Sequence, residues 1–294
     1  MSFLAIFLQS ALYGFGDPIS KIAYEEMPVA TLLGARYAIA LGVMLPWCLR
    51  KPLRELKELR LGDWLPSCLC IALCYVLSNE ALKLTAATSV AFLRSMSVIF
   101  TPLAALALLR RRVSLRLIPV SALACAGMYL LCERGGLQGF GAGEGLTLLS
   151  ALMMALSLVF AVRSLKRVRA LTLTALQTGT CALVTVTLAL VCDRGYVITS
   201  ASAQCREVIV YLAAACTIAG FLLQNLALRR ISPEAVALLQ CSCPVLTALF
   251  AALLLNERLS PAGMAGAALI ILSVAGAILV ERRARRGAAG GIRH

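Results

Sequence analysis

The sequence predicts an all-α integral membrane protein with ten transmembrane helices, arranged as two inverted five-helix repeats. Three observations lead to this class: an apolar composition, an internal repeat and a one-sided distribution of positive charge. Of the 294 residues, 61% are hydrophobic and 14% are charged, whereas a soluble domain has about 45–50% apolar and about 25% charged residues. A spanning helix needs about 20 mostly apolar residues. Ten such segments are centred near Ser10, Ala38, Leu73, Val98, Ala124, Met154, Cys181, Cys216, Val245 and Ile270.

The internal repeat is a match between residues 79–114 and residues 225–260, offset by 146 positions (225 − 79) without a gap. About a third of the aligned positions are identical, including Asn79 with Asn225. Two leucine- and alanine-rich helices can match by composition alone, but the shared register of Asn, Ser and Arg favours a true repeat. Because each half has an odd number of spans, the repeats are expected to be inverted, with substrate binding near the midplane between them.

Positive charge is concentrated on one side of this topology. About 20 basic residues fall in the loops and termini on the side of both chain ends, and about 5 fall on the other side. The positive-inside rule then predicts that both termini are cytoplasmic. Orientation accounts for the formal net charge of +14, so we expect no nucleic-acid partner. A basic amphipathic segment at 50–63 is expected along the cytoplasmic surface, and the basic C-terminal tail can contact anionic lipid headgroups.

The sequence is poor in catalytic and metal-binding groups. Its one histidine is His294, and its twelve cysteines form no Cys-x-x-Cys pair. We therefore expect no enzymatic activity, no metal and no cofactor, and interpret the cysteines as small packing residues. The first apolar segment lacks a basic n-region and carries Asp17 and Lys21 where a cleavage site would lie. It is expected to be the first helix rather than a signal peptide.

The first predicted helix, 3–23, carries polar residues on one face. Tyr13, Asp17 and Lys21 are four residues apart, which stacks them along the helix. Pro18 removes a backbone donor and invites a kink, and a carbonyl freed in this way must face protein or water. Two interpretations stand side by side: Asp17 and Lys21 contact a substrate or ion, or they pair with each other and hold the helix end.

The second predicted helix, 28–49, contains Arg36. A charge at mid-helix costs about 2.5–3.5 kcal/mol on insertion scales, so Arg36 is expected to face the bundle and find a partner. Asp17 and Glu80 are the nearest carboxylates in the predicted topology. Arg36, Lys21 and Pro18 are accordingly assigned structural or charge-pairing roles.

Helices three and four, 64–82 and 85–109, supply the strongest candidate for ligand binding. Arg94 lies about two and a half turns into helix four, and its guanidinium offers a fixed fork of donors for a carboxylate or phosphate. A structural salt bridge from Arg94 to Glu80 or Asp17 is the alternative, and a substrate could displace such a bridge.

The second half places polar residues at equivalent positions. Helix five is expected at 115–132, and a glycine-rich turn at 133–144 separates the halves, giving repeats 1–138 and 139–294, the second with a short basic tail. Helices six, seven and eight are expected at 145–162, 171–192 and 208–228. Helix eight ends with Gln224 and Asn225, which match Ser78 and Asn79, and helix nine has Gln240 at the place of Arg94.

These residues resemble the EamA-domain permeases of the drug/metabolite transporter superfamily, in the form with ten helices. The first repeat is represented by Thr-Ser-Val-Ala-Phe-Leu at 88–93, Thr-Pro-Leu at 101–103 and Leu-Arg-Arg-Arg at 109–112. The second is represented by Pro-Val-Leu-Thr-Ala-Leu at 244–249 and Leu-Asn-Glu-Arg-Leu-Ser at 255–260. Tyr13-Gly14, Lys21 and Arg36 also match the family pattern. Many relatives have Glu in both turns, whereas here Glu257 aligns with Arg111, a change that follows the positive-inside rule.

The resemblance implies transport of a small polar metabolite, often an amino acid, by alternating access through a central cavity in a bacterial inner membrane. The excess of Lys21, Arg36 and Arg94 over Asp17 and Glu80 favours an anionic group on the ligand. Those two carboxylates are the candidates for proton coupling, with facilitated diffusion as the alternative. A monomer is expected, because ten helices suffice to build the cavity. The candidate substrate-binding residues are Tyr13, Asp17, Ser78, Asn79, Glu80, Arg94, Gln224, Asn225 and Gln240.

Two other functions remain open at this point. The same fold can serve as a multidrug exporter, and a membrane-embedded sensor or structural protein would need no transport pathway. Paired polar clusters in the two repeats favour a pathway through the protein.

Overall fold

Helices form all of the regular structure in the residues that the computed structural model describes, which are 2–48, 60–85, 87–109, 117–132, 141–193, 201–255 and 260–290. Thirteen α-helices and one π-helical segment follow one another along this part of the chain. They are α1 (Ser2–Ala23), α2 (Val29–Cys48), α3 (Leu61–Leu84), α4 (Ala87–Arg94), α5 (Ser97–Leu109), α6 (Ile118–Cys132), α7 (Ala142–Ser164), α8 (Ala170–Cys192), α9 (Ala203–Tyr211), the π-helical segment Leu212–Ala219, α10 (Gly220–Leu228), α11 (Pro233–Gln240), α12 (Ser242–Leu255) and α13 (Pro261–Gly290).

Eight helical stretches in the described residues are long and apolar enough to cross a membrane, and the apolar part of α6 is shorter. The chain is therefore a multi-pass membrane protein. Helix α1 is not among the eight. It carries the polar or charged residues Gln9, Asp17 and Lys21, which lower its mean hydropathy. The count of ten spans stays a prediction.

Two of the predicted continuous helices are interrupted at equivalent positions. Helices α4 and α5 are separated by a turn at Ser95 and Met96, and α11 and α12 by a turn at Cys241. Ser95 and Cys241 are 146 residues apart, and each side chain donates to the carbonyl four residues earlier, at 2.8 and 3.5 Å. Back-bonding of this kind bends helices. The repeat therefore extends to the position of the break.

Helices of the first half pack against helices of the second half. Helix α3 lies along α7, α2 along α8, α6 along α13, and α1 along α12 and α10. The pairs α2–α8 and α6–α13 join segments that hold the same rank in each half. The main hydrophobic core, which includes the fully buried Tyr37 and Phe221, is consequently built from both halves together.

Contacts at the helix ends agree with the predicted alternation of loops. At the start of α3, Asp63 forms an ion pair with Arg167, which follows α7, at 2.9 Å. At the end of α3, Thr85 donates to Glu144 near the start of α7, at 2.9 Å. Helices α3 and α7 are therefore antiparallel, and loops expected on opposite sides of the membrane lie at opposite ends of the bundle.

Several predicted features lie outside the described residues. These are most of the amphipathic segment 50–63, the basic turn at 110–112, the junction at 133–140 and the turn at 256–259. The side chains of the basic tail are also outside them, although α13 continues as a helix to Gly290. Orientation in the membrane therefore stays a prediction.

Close approach of α6 to α13 depends on Gly127. A Cβ atom at this position would lie 2.7 Å from the carbonyl oxygen of Gly266 and 2.9 Å from the backbone nitrogen of Ile270. Small residues allow such approach between membrane helices, where packing drives association. Backbone atoms cannot rotate away, so any side chain at this position must push the helices apart.

We expect Gly127→Ala to destabilise the protein by about 1–3 kcal/mol, the usual cost of overpacking. Gly42→Ala is the matched control, because a Cβ there meets nothing within 4 Å. Thermal denaturation in detergent should give a lower midpoint for Gly127→Ala and an unchanged or higher one for Gly42→Ala. Equal midpoints for the two variants would contradict this account of the α6–α13 contact.

Candidate functional site

A small polar cavity lies where the two halves meet. Its volume is ≈ 30 Å³, which is room for one or two water molecules. Helices α1, α3, α4, α5, α7, α11 and α12 and the turn between α4 and α5 contribute side chains to its wall. The lining residues are Ser10, Tyr13, Tyr75, Arg94, Ser95, Ser97, Met154, Gln240 and Cys243.

The charged group of the cavity is Arg94, which forms an ion pair with Asp17. The Nη2–Oδ2 distance is 2.7 Å, and the side chains are 14% and 17% exposed. Arg94 also donates to Ser78 Oγ at 3.4 Å and to Cys243 Sγ at 3.7 Å. Among the alternatives for Arg94, the structure has the bridge to Asp17 and not one to Glu80. Arg94 lines the cavity, and Asp17 lies directly behind it as its ion-pair partner.

Three hydroxyl groups on the cavity wall have no hydrogen-bond partner within the described residues. They belong to Ser10, Tyr13 and Tyr75, and their oxygen atoms are buried. Buried polar atoms are normally hydrogen-bonded, and each exception needs an explanation. With Arg94, these residues bring several hydrogen-bonding groups close to the cavity. This arrangement suits an oxygen-bearing ligand.

On the other side of the cavity, three glutamines form a closed hydrogen-bonded cluster. Gln9 donates to Gln224 at 3.0 Å, and Gln240 donates to Gln9 at 3.1 Å and to Gln224 at 2.9 Å. Gln240 and Arg94 are 146 residues apart, and both line the cavity. The equivalent positions thus differ in charge: the first half has the charged Arg94, and the second half has the neutral amide of Gln240.

The interrupted helices present their N-terminal ends to the cavity. Helix α5 begins at Ser97, and α12 begins one residue before Cys243, and both of these residues line the cavity. The first backbone N–H groups of a helix lack partners within the helix and carry a partial positive charge. At the start of α5, however, the N–H groups of Val98, Ile99 and Phe100 already donate to carbonyl groups of the turn at Ser95 and Met96, so the positive group of the cavity is Arg94.

Several residues predicted to bind substrate lie elsewhere. Asn79 accepts from the Tyr24 hydroxyl at 2.6 Å and donates to the carbonyl of Tyr75 at 2.7 Å. Asn225 and Glu80 are also absent from the cavity wall, and Glu80 is only partly buried.

The Asn225 side chain instead joins three helices. It donates to Thr174 Oγ1 at 3.0 Å and to Gln177 Oε1 at 2.8 Å, and Gln177 in turn donates to Ser67 at 3.2 Å. The network links α10, α8 and α3. Asn225 is fully buried, which indicates a structural role.

Arg36 does not have the carboxylate partner expected from the sequence. Its Nε donates to Thr217 Oγ1 at 2.8 Å, and its guanidinium lies over the rings of Tyr37 and Tyr75. Asp17 forms its ion pair with Arg94 and not with Arg36. The packing of α2 against the π-helical segment places Thr217 beside Arg36.

The other residues with predicted structural roles are found in α1. Lys21 donates to the carbonyl of Thr85 at 3.2 Å, so the alternative pairing of Lys21 with Asp17 is wrong. Pro18 is buried, and α1 continues through it from Ser2 to Ala23.

Sequence reasoning did not assign seven residues to the site: Gln9 in the glutamine cluster, and Ser10, Tyr75, Ser95, Ser97, Met154 and Cys243 on the cavity wall. A signal for Gln9 was present, because it lies four residues before Tyr13 and extends the polar face of Tyr13, Asp17 and Lys21 by one turn. Ser10, Tyr75 and Met154 follow no comparable pattern. They reach the cavity through the packing of α1, α3 and α7.

Within the described residues, no group of three or more His, Cys, Asp or Glu side chains is placed to hold a metal ion. The described cysteines are free thiols, and most are buried. The chemistry that the cavity offers is therefore hydrogen bonding and charge pairing.

Comparison with known proteins identifies the family. The model of the EamA-like transporter family matches residues 1–132 and 141–279, nearly the whole chain in two halves. In all, 29 chains of solved structures match. One of them, described only as "Crystal structure of protein", superposes with a TM-score of 0.76 at 18% identity, over 95% of this chain and 96% of that one, a likeness that shows the fold alone. None of the curated proteins matches at a significant level. The match of both halves to the family model means that this chain belongs to the EamA-like transporter family.

Proposed function

We propose that this transporter moves a small polar metabolite with a carboxylate group, an amino acid or a related compound, through the cavity at Arg94. The observation that carries the proposal is the ion pair of Arg94 and Asp17 at the meeting point of the two halves. Arg94 is the charged residue among those that line the cavity, and Asp17 is its ion-pair partner.

The ion pair suits a zwitterion. A ligand carboxylate can accept the fork of donors from Arg94, and a ligand ammonium can replace Arg94 beside Asp17. The exchange keeps every charge paired, so it avoids the cost of leaving a buried charge uncompensated. The free hydroxyls of Ser10, Tyr13 and Tyr75 supply further hydrogen bonds.

Substrate entry requires the helices to move. A cavity of ≈ 30 Å³ is too small for a metabolite, so the site must widen before a substrate can bind. We propose alternating access, in which α4 and α11 turn at the breaks beside Ser95 and Cys241. Breaks at repeat-related positions favour this mechanism, because each half can then open the site to one side of the membrane.

The remaining parts of the proposal concern topology. We propose ten spans in two inverted five-helix repeats, with both termini in the cytoplasm of a bacterial cell and the protein acting as a monomer. The antiparallel contact of α3 and α7 and the one-sided positive charge support this arrangement.

The test is the thermal stability of the purified protein against amino acids, organic acids, nucleosides and cationic drugs. A ligand that binds only the folded state stabilises it by about 2.7 kcal/mol at 100 times its Kd. We expect stabilisation by an amino acid or organic acid, lost in Arg94→Gln and kept in Arg163→Gln, where the arginine is exposed at the end of α7. Stabilisation by the acids that persists in Arg94→Gln would contradict the proposed site.

A second candidate function, multidrug export, is favoured by a separate groove of ≈ 630 Å³ between α5 and α6. Its wall is apolar, with residues such as Pro102, Ile118 and Cys125, and includes the buried carboxyl group of Glu234. A lipophilic cation fits this combination. In the same panel, stabilisation by cationic drugs alone, lost in Glu234→Gln, would favour export of such compounds over metabolite transport.

A further inference from the structure

Arg36 is a buried cation whose charge is not balanced by the protein around it. It is 4% exposed, and its one hydrogen-bond partner within the described residues is the neutral Thr217 Oγ1. The two ion pairs that join described residues to one another belong to Arg94 and Arg167, so no carboxylate among the described residues pairs with Arg36. A buried charge is normally paired. The surroundings of Arg36 therefore need a negative charge.

Two tyrosines beside Arg36, Tyr37 and Tyr75, carry buried hydroxyl groups that make no hydrogen bond of good geometry in the described part of the chain. The guanidinium carbon lies 5.2 Å from the ring centre of Tyr37 and 5.6 Å from that of Tyr75. The rings offset part of the cost of the buried charge through cation–π attraction. The hydroxyl oxygens of both residues are nevertheless buried and unpartnered, which is costly for polar groups.

Arg36 and the neighbouring tyrosines contact one stretch of the chain, which comprises the end of the π-helical segment and the start of α10. Thr217, the partner of Arg36, lies in the π-helical segment. The hydroxyl of Tyr13, also unpartnered, lies where a side chain on Gly220 would stand, 2.6 Å from its Cβ position. The rings of Tyr37 and Tyr75 pack against Phe221. π-Helical turns occur frequently at functional sites.

We propose that Arg36 is the centre of an anion-binding site beside the Arg94 cavity, from which it is separated by Tyr13 and Tyr75 on the cavity wall. The ligand is a small monovalent anion, held by the guanidinium and by hydroxyl donors of the neighbouring tyrosines. Chloride and a small carboxylate share this chemistry. Arg94 does not need such an anion, because Asp17 already neutralises it. The inference rests on Arg36 and its neighbours and holds whether or not the chain transports an amino acid.

The experiment measures thermal denaturation of the purified full-length protein in sodium chloride, sodium acetate and sodium isethionate at equal ionic strength. Isethionate is the reference, because its anion is much larger than chloride. We expect a saturable rise of the midpoint in chloride or acetate relative to isethionate. A rise in chloride alone identifies a halide site, and a rise in acetate identifies a carboxylate site. Equal midpoints in all three salts would overturn the proposal.

Three variants locate the anion. Arg36→Gln should lose the rise, and Arg94→Gln should keep it, since the second variant alters only the neighbouring cavity. Tyr37→Phe tests the site even if Arg36→Gln fails to fold. It keeps the aromatic ring and removes only a hydroxyl group that makes no hydrogen bond of good geometry in the described part of the chain. It should be as stable as the wild type in isethionate and need about tenfold more anion for half saturation. A rise that survives in Arg36→Gln, or that disappears in Arg94→Gln, would refute the site.

Discussion

We expect the replacement of Arg94 by glutamine to abolish ligand binding and transport and to make the protein less stable. The substitution removes the partner of Asp17, which is only 17% exposed, and leaves a carboxylate in a largely apolar surrounding. Breaking a buried ion pair costs about 3–5 kcal/mol, and the lower end applies here because both groups retain some exposure. Thermal denaturation measures the stability, and ligand-induced stabilisation measures the binding.

The double variant Asp17→Asn with Arg94→Gln separates the two effects. It should recover stability, because no unpaired charge remains, and it should still fail to bind ligand. Arg163→Gln is the control and should behave as the wild type. If the double variant bound the ligand as tightly as the wild type, the ion pair would be a structural bridge and not the substrate site.

Replacing Asn225 with alanine should unfold the protein at a distinctly lower temperature. Asn225 is fully buried and donates to Thr174 and Gln177, so its loss leaves buried acceptors without their donor. Each such group costs about 1–3 kcal/mol. Denaturation midpoint and membrane yield should fall together, with activity falling only as far as folded protein is lost.

Gln204→Ala is the matched control for this prediction, because Gln204 is an exposed amide on α9. It should leave the midpoint and the yield unchanged. A stable but inactive Asn225→Ala protein would contradict the structural role and restore the substrate contact that the sequence predicted.

The internal repeat was the most informative feature of the sequence, because it related positions in one half to positions in the other. The offset of 146 residues paired Arg94 with Gln240, and both line one cavity. The same offset pairs Ser95 with Cys241, where both helices break. A polar residue in an apolar helix must face protein or water, and the repeat places such residues at equivalent depths, so the two halves contribute polar side chains to the same cavity.

The sequence could not decide which of two adjacent polar residues faces the cavity. Ser78 contacts Arg94, whereas Asn79 turns towards Tyr24. Neighbours on a helix differ by about 100° in direction, and α3 is apolar nearly all round, so its pattern does not specify its rotation. Packing against α7 settles the rotation, and that information is nonlocal.

The partner of Arg36 was unpredictable for a similar reason. The nearest carboxylates in the predicted topology are Asp17 and Glu80, whereas the contacts of Arg36 in the structure are Tyr37, Tyr75 and Thr217. Aromatic rings and a hydroxyl group carry no charge, so no charge pattern in the sequence indicates that they surround a cation. Only the packing of α2 against α3 and the π-helical segment brings these groups together.

The most direct test of the proposed transport site is counterflow in liposomes with the amino acid or organic acid that stabilises the purified protein. We expect labelled substrate to accumulate with the wild type and with Arg163→Gln, and not with the folded double variant Asp17→Asn with Arg94→Gln. Accumulation by the double variant at the wild-type rate, or its absence with the wild type for every compound that binds, would contradict substrate transport through the Arg94 cavity.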